Sequence, residues 1–108
     1  LRRAGGDAPG RCLRYRGLTL DPDAVEVRLD GRVLEQLTAR EFELLRELLS
    51  SPGRVFTREI LLAKLWGYDF FGDERVVDSH IKNLRKKLGV DYIETVRGVG
   101  YRVPKEHP

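Results

Sequence analysis

Residues 75–89 read RVVDSHIKNLRKKLG, and their apolar residues repeat with the period of an α-helix. At about 100° per residue, the apolar side chains lie within about 60° of one another and form one stripe. The stripe consists of Val77, Ile81, Leu84 and Leu88. The opposite side carries polar and basic residues, namely Arg75, Ser79, Lys82, Asn83 and Lys86. We therefore predict a helix over residues 74–88, capped by Asp73 and ended by a left-handed Gly89.

The positive charge of the chain is concentrated on this helix. Residues 75–88 hold five basic side chains against one acid, Asp78, whereas the whole chain has a formal net charge of only +3. A basic helix face is most often a solvated surface. Here, however, a predicted hairpin of residues 92–97 and 101–103 follows, with Arg97 before its Gly98-Val99-Gly100 turn. A helix sized for a major groove beside a hairpin for the adjacent minor groove indicates nucleic-acid binding.

The composition restricts the class of protein. The chain has 108 residues, 41% of them hydrophobic and 34% charged, which indicates one globular domain and excludes a wholly disordered chain. It contains no run of 18 apolar residues and no secretory signal, so we expect a cytoplasmic protein. One cysteine, Cys12, and two histidines, His80 and His107, are too few for a disulfide framework or a tetrahedral zinc site. We expect neither a metal nor a cofactor.

The two ends of the chain differ in composition from its middle. Residues 1–11 contain three glycines, one proline and three arginines, which is typical of a flexible linker. Because the sequence lacks methionine altogether and begins with this segment, we expect a piece of a longer protein. We assign residues 1–11 to an interdomain linker, residues 12–104 to one domain and residues 105–108 to a tail.

Ahead of the basic helix, the sequence predicts a small antiparallel sheet followed by two helices. Asp30-Gly31 is a strong two-residue hairpin turn between alternating apolar and polar residues. Thr38 and Glu41 form the signature of a capping box at the start of the first helix, which continues to residue 49. Thr57 caps a second, shorter helix. The four expected strands cover residues 12–16, 18–20, 25–30 and 32–36.

Four blocks of the sequence carry a family resemblance. They are LTAREFELL at 37–45, FTRE at 56–59 with WG at 66–67, RVVDSHIKNLRKKLG at 75–89 and TVRGVGYR at 95–102. In this order and spacing they resemble the DNA-binding effector domain of OmpR/PhoB-family two-component response regulators, over about residues 12–103. The resemblance implies an α+β winged helix-turn-helix with an N-terminal four-stranded antiparallel sheet, three helices and a C-terminal β-hairpin wing. It also implies an upstream receiver domain and a sensor histidine kinase that acts on that receiver.

The resemblance further implies which residues meet DNA. The major-groove reader matches the face that the helical spacing indicates independently, namely Arg75, Ser79, Lys82 and Asn83, with Lys86 beside them. The residues implied to contact phosphates are Arg58, Trp66, His80, Arg85, Thr95 and Tyr101. Arg97 of the wing is implied to enter the minor groove. The loop that joins the second and third helices is implied to face RNA polymerase with Tyr68, Asp69, Phe70 and Phe71.

Some of these residues also have a structural interpretation. Trp66 could pack in the core, and His80 borders the apolar stripe. The aromatic residues of the loop could fold back on the core or remain exposed. Residues 97–100 read RGVG, but no helix follows them, so a hairpin turn is favoured over a nucleotide-binding loop. Cys12 has no histidine partner nearby in sequence, so we expect no enzyme.

The sequence therefore predicts a module for sequence-specific binding of double-stranded DNA. We interpret it as the output domain of a bacterial two-component regulator that controls transcription through promoter binding and RNA polymerase contact. The resemblance suggests two copies bound head to tail on direct repeats. The alternative is a winged-helix module that binds proteins and has little affinity for DNA. Mobility shifts at two salt concentrations would separate the two, because phosphate contacts weaken steeply with salt.

Overall fold

A computed structural model describes residues 12–67, 70–89 and 91–105, and over these residues the chain forms the predicted α+β winged-helix fold. The elements in chain order are β1 (Leu13–Tyr15), β2 (Leu18–Asp21), β3 (Glu26–Leu29), β4 (Arg32–Val33), α1 (Ala39–Leu49), β5 (Phe56–Thr57), α2 (Arg58–Leu65), α3 (Arg75–Leu88), β6 (Glu94–Val96) and β7 (Gly100–Arg102). The expected linker, residues 1–11, and residues 106–108 of the expected tail lie outside the described residues.

The N-terminal sheet has the order β1-β2-β3-β4, and all three pairings are antiparallel. The predicted hairpin turn is confirmed, because Asp30 and Gly31 both adopt a positive φ, of 51° and 85°. The first, third and fourth strands are shorter than predicted, and the second is one residue longer. Val25, at a φ of 52°, cannot continue a strand. The strand β4 ends at Val33, although the Leu34 amide still donates to the Val27 carbonyl at 2.8 Å and Leu34 packs against the core.

The capping box at the start of α1 is confirmed. The Thr38 hydroxyl accepts from the Glu41 amide at 3.1 Å, and the Thr38 amide donates to Glu41 Oε1 at 3.0 Å. Glu41 is nevertheless buried, with only 3% of its surface exposed. The Lys87 ammonium of α3 lies 2.6 Å from the same carboxylate oxygen and also donates to the Gln36 carbonyl. One buried carboxylate therefore joins the start of α1 to the end of α3.

The core lies between the inner face of the N-terminal sheet and the three helices. The predicted α3 stripe is confirmed, because Val77, Ile81, Leu84 and Leu88 are each no more than 4% exposed. They belong to one cluster of buried side chains with residues of α1, α2 and the sheet. Members of this cluster outside α3 include Tyr15, Leu18, Leu20, Val27, Phe42, Leu44, Leu45, Leu48, Phe56 and Leu61.

Both ends of α3 differ slightly from the prediction. The helix begins at Arg75, one residue later than expected, and the Asp73 carboxylate accepts from the Arg75 amide at 2.9 Å. Asp73 therefore satisfies a free amide of the first turn, although the cap position is occupied by Glu74 and not by Asp73 as predicted. At the other end Gly89 has a φ of 105° and a ψ of 160°, which is not the expected left-handed helical conformation. It is a region of backbone space that essentially only glycine occupies.

A second sheet has the order β5-β7-β6, and sequence analysis missed its first strand. Phe56 of β5 pairs with Tyr101 of β7. Gly100 was expected in the hairpin turn but begins β7, where a Cβ would lie 2.1 Å from the Phe56 carbonyl oxygen. The turn instead closes by a hydrogen bond of 2.9 Å from the Val99 amide to the Val96 carbonyl, with Gly98 at a φ of 76°.

The Glu41 carboxylate predicts a pH-dependent contribution to stability. Burial raises the pKa of Glu41, but hydrogen bonds from Lys87 and the Thr38 amide lower it further, so that it lies below its ordinary value. We expect Glu41→Gln to lower the free energy of unfolding by about 1–3 kcal/mol at neutral pH. Because the folded-state pKa is the lower one, this contribution is lost as the pH falls through it. Urea denaturation of both proteins at about pH 7 and about pH 3 measures the difference.

Glu43→Gln is the matched control for this experiment. Glu43 lies on the same helix and pairs with Arg40 at 3.2 Å, but its side chain is 51% exposed. We expect its loss to change the free energy of unfolding by less than about 0.5 kcal/mol. An effect of Glu41→Gln no larger than that of Glu43→Gln would contradict the structural role of the buried carboxylate.

Candidate nucleic-acid interface

The outer face of α3 points away from the core as a direct consequence of the buried stripe. All five side chains predicted for this face are exposed, namely Arg75, Ser79, Lys82, Asn83 and Lys86. The side chains predicted to read the major groove therefore lie together on one surface. Apart from Arg75, these side chains form no hydrogen bond or ion pair with any residue that the structure describes. Their donors and acceptors are available to a ligand.

Arg75 is the exception because its guanidinium is held by Asp73. The Arg75 Nε and Nη2 atoms lie 3.1 and 2.9 Å from Asp73 Oδ2. The amide and then the guanidinium of Arg75 hold the pKa of Asp73 below its ordinary value. The Arg75 side chain is nevertheless 82% exposed. It projects from the first turn of α3 in an orientation that Asp73 restricts.

Trp66 and His80 lie together on the flank of α3 that faces α1. The centroids of their rings are 5.0 Å apart in an edge-to-face arrangement. The guanidinium carbon of Arg40 lies 4.9 Å from the centroid of the Trp66 ring. His80 Nδ1 lies 2.9 Å from the Val76 carbonyl oxygen, so Nδ1 carries the hydrogen of this bond. Both side chains are half-buried and are held by packing. Their predicted contact with phosphates stays a prediction.

The wing presents Arg97 at its tip. Arg97 is exposed and stands at the second position of the turn, between Val96 and Gly98. Val99, on the other side of Gly98, is 51% exposed. The tip therefore carries one long cation with no partner among the described residues.

Arg85 anchors this wing to α3. Its Nε and Nη2 donate to the Ile93 carbonyl at 3.1 and 3.0 Å, and Nη2 also donates to the Thr95 hydroxyl at 2.5 Å. The guanidinium carbon lies 5.6 Å from the centroid of the Tyr101 ring. The structure thus brings three of the predicted phosphate-contacting residues together. It also gives Arg85 and Thr95 partners inside the protein, which sequence reasoning did not foresee.

Asp78 is the residue of this site that sequence reasoning missed. Its Oδ1 accepts from the Tyr101 hydroxyl at 2.6 Å and lies 3.3 Å from Nε of Arg58, at the start of α2. Burial, followed by this hydrogen bond, raises the pKa of Tyr101 to about 12. The signal in the sequence was the isolation of Asp78 as the single acid of a basic helix. One carboxylate thus connects α2, α3 and the wing.

The loop between α2 and α3 is only partly described. Tyr68 and Asp69 of the predicted polymerase contact lie outside the described residues. The centroids of the Phe70 and Trp66 rings are 6.3 Å apart, and Phe70 is half-buried. Phe71, by contrast, is 100% exposed. The two phenylalanines therefore divide between the two predicted alternatives, since one packs against the domain and the other faces solvent.

No helix among residues 12–67, 70–89 and 91–105 has the length and apolarity to cross a membrane. Within the same part of the chain, no group of histidine, cysteine and carboxylate side chains is arranged to hold a metal ion.

Comparisons with known proteins agree with this architecture. The sequence profile of a family described as transcriptional regulatory protein, C terminal, matches residues 32–103. The regulatory protein VanRB of Enterococcus faecalis is 50% identical over 103 residues, which cover 95% of this chain and 46% of VanRB. The chain thus spans about half the length of this curated relative.

Two solved structures of related proteins superpose on this fold. The response regulator DrrB of Thermotoga maritima, an OmpR/PhoB homolog, superposes with a TM-score of 0.79 at 35% identity, covering 87% of this chain and 44% of DrrB. The DNA-binding domain of RstA from Klebsiella pneumoniae, solved in complex with the RstA box, superposes with a TM-score of 0.78 at 35% identity. That match covers 87% of this chain and 97% of the RstA domain.

Proposed function

This chain belongs to the family of C-terminal, OmpR/PhoB-type DNA-binding domains of transcriptional regulatory proteins, and we propose that it binds double-stranded DNA sequence-specifically as the output domain of a bacterial two-component response regulator. The observation that carries the proposal is the exposed outer face of α3, whose polar side chains, apart from that of Arg75, have no partner among the described residues. The RstA domain, which has the same fold, was solved on its DNA box. VanRB is named a regulatory protein, and a relative from Streptomyces coelicolor, 47% identical over 100 residues, is named transcriptional regulatory protein CseB, which supports the same function.

The chemistry of α3 suits the major groove. A B-form major groove, about 12 Å wide, admits an α-helix and displays a distinct pattern of donors and acceptors for each base pair. The Asn83 amide can both donate to and accept from adenine, and the Lys82 ammonium can donate to the two acceptors of guanine. Ser79 and Arg75 extend the same surface towards the start of the helix. Lys86 and Arg58 add positive charge for the flanking phosphates.

The wing complements α3 in the adjacent minor groove. Narrow A·T-rich minor grooves have an enhanced negative potential that attracts an inserted guanidinium. Arg97, exposed at the wing tip, supplies that group. Trp66, His80, Arg85, Thr95 and Tyr101 would support phosphate contacts around the reader, with Arg85 and Tyr101 also holding the wing.

The partners of the whole protein belong to the same proposal. A preceding receiver domain, modified by a sensor histidine kinase, would regulate this output domain in the cytoplasm. Two copies would bind head to tail on direct repeats, and the loop containing Phe71 would contact RNA polymerase. The domain would act by binding alone, without catalysis.

A mobility-shift titration tests the proposal against the alternative of a protein-binding module. Duplexes selected from a random library should bind more tightly than an unselected duplex of equal length. The affinity should fall steeply between low and high salt, because counterions are released when cations neutralise phosphates. Failure of selection to enrich any sequence would contradict sequence-specific binding.

The outer face of α3 predicts a loss of specificity when its central residues are shortened. We expect Lys82→Ala with Asn83→Ala to weaken binding to the selected duplex by several kcal/mol, at about 1–3 kcal/mol per good base contact. Non-specific binding should weaken far less. Arg32→Ala, an exposed cation on β4, is the control and should leave the sequence preference unchanged. A double variant that keeps its preference and its circular dichroism spectrum would exclude α3 as the reader.

The tandem arrangement predicts a dependence on the spacing of the half-sites. Direct repeats about one helical turn apart place both copies on the same side of the duplex. Inserting five base pairs moves one copy to the opposite side, so we expect cooperative binding to disappear in a mobility-shift titration. Inserting ten base pairs is the control for length alone. Unchanged cooperativity after the five-base-pair insertion would argue against contact between the copies.

The α2–α3 loop predicts a separation of DNA binding from activation. Because Phe71 is fully exposed, Phe71→Ala should preserve folding and the mobility shift while it lowers transcription in a purified system. Phe70→Ala is the matched comparison. Phe70 packs near Trp66, so its loss should lower the melting temperature instead. Full transcription by the Phe71 variant would contradict a polymerase contact through this side chain.

A further inference from the structure

Asp78 stands out among the residues of α3 by its charge and by its position. It is the single acid between Arg75 and Leu88. With about 100° per residue, Asp78 and Arg85 lie on one flank of the helix, about a quarter turn from the buried stripe. They are seven residues and therefore about 10 Å apart along the axis. This flank faces the wing, because both side chains bond to it.

The bonds of Asp78 reach both elements that flank α3. The Tyr101 hydroxyl donates to its Oδ1 at 2.6 Å, and Nε of Arg58 lies 3.3 Å from the same atom. Tyr101 is only 8% exposed and occupies the middle of β7, opposite Thr95 in the wing and Phe56 in β5. A displacement of Tyr101 would therefore displace the whole second sheet relative to α3.

Electrostatics alone does not account for a carboxylate at this place. Affinity for DNA phosphates grows with the number of cations that neutralise them, and an acid next to Arg58 offsets one of these. A surface built only to attract phosphates would bind them better without Asp78. The presence of Asp78 is therefore better explained by its bonds to Tyr101 and Arg58.

We propose that Asp78 is a positioning residue that fixes the wing relative to α3 through Tyr101 and so sets the distance between the major-groove and minor-groove contacts. The inference rests on the proposed DNA-binding function. In this role Asp78 touches no DNA. It holds Tyr101 at one point of α3 while Arg85 holds Ile93 and Thr95 two turns further along. Two anchors prevent the wing from pivoting about either one.

The experiment compares variants that remove the same negative charge but differ in whether residue 78 can still accept a hydrogen bond from Tyr101. Asp78→Ala removes the charge and the acceptor. Asp78→Asn removes the charge but keeps an oxygen that can accept from Tyr101. Glu59→Ala is the matched control, because Glu59 lines the cleft of about 280 Å³ between α2 and the wing tip. Among the described residues, the Glu59 side chain has no hydrogen bond or ion pair.

A positioning role of Asp78 and a purely electrostatic effect predict opposite changes in the affinity of Asp78→Ala for the selected duplex. Glu59→Ala should raise the affinity for selected and unselected duplexes alike, by about twofold, since one negative charge is lost. Asp78→Ala should raise the affinity for the unselected duplex similarly but lower that for the selected duplex about tenfold. It should also reduce the preference for A·T-rich over G·C-rich flanks to within twofold. Asp78→Asn should keep most of that preference. If Asp78→Ala raises both affinities equally and keeps the flank preference, the positioning role is overturned.

A measurement without DNA separates this inference from the proposed function. In Asp78→Ala the pKa of Tyr101 should fall below about 12 but stay above its ordinary value, because burial, the larger cause of its elevation, remains. Exchange of the Val99 amide hydrogen should accelerate about tenfold. Exchange of the Phe42 amide in α1 should stay unchanged. Unaltered Val99 exchange would refute the anchor whatever the DNA results. If the unmodified domain prefers no duplex while Val99 exchange does accelerate, the proposed function fails and the anchor stands.

Discussion

The burial of one apolar stripe fixes the rotation of α3 about its own axis, and the rest of the site depends on that rotation. Val77, Ile81, Leu84 and Leu88 are almost completely removed from water. Each such side chain contributes about 1.5–3 kcal/mol when it is buried. Turning the helix by a quarter would expose the stripe and bury cations, which is far more costly than any gain at the surface. The outer face of α3 is therefore determined by the core.

The two flanks of α3 are fastened by polar contacts to different parts of the domain. On one flank Lys87 pairs with the buried Glu41 at the start of α1, and His80 packs on Trp66. On the other flank Asp78 and Arg85 hold the wing. Three sides of the helix thus pack against or bond to the rest of the domain, and the fourth, the outer face, is exposed. This division explains how one short helix can be held on three sides and still present an exposed polar face.

Local features of the fold could be predicted from the sequence, and distant contacts could not. The helical stripe, the capping box at Thr38 and the Asp30-Gly31 turn depend on neighbours within a few residues, and all three are confirmed. The strand β5 is two residues long and exists because Phe56 pairs with Tyr101, 45 positions later. The bond of Asp78 to Tyr101 likewise joins residues 23 positions apart. The outer face of α3 was predictable because it follows from helical periodicity, whereas the anchors of the wing required the tertiary structure.

Changes in amide chemical shifts on binding of a selected duplex would show directly whether α3 is the reading helix. We expect the largest changes along the outer face of α3, at Ser79, Lys82, Asn83 and Lys86, and at Arg97 to Val99 of the wing tip. The inner face of the N-terminal sheet, around Leu18 and Val27, should change little. Large changes confined to that sheet or to Phe70 and Phe71, with α3 unperturbed, would contradict the assignment of α3 as the reading helix.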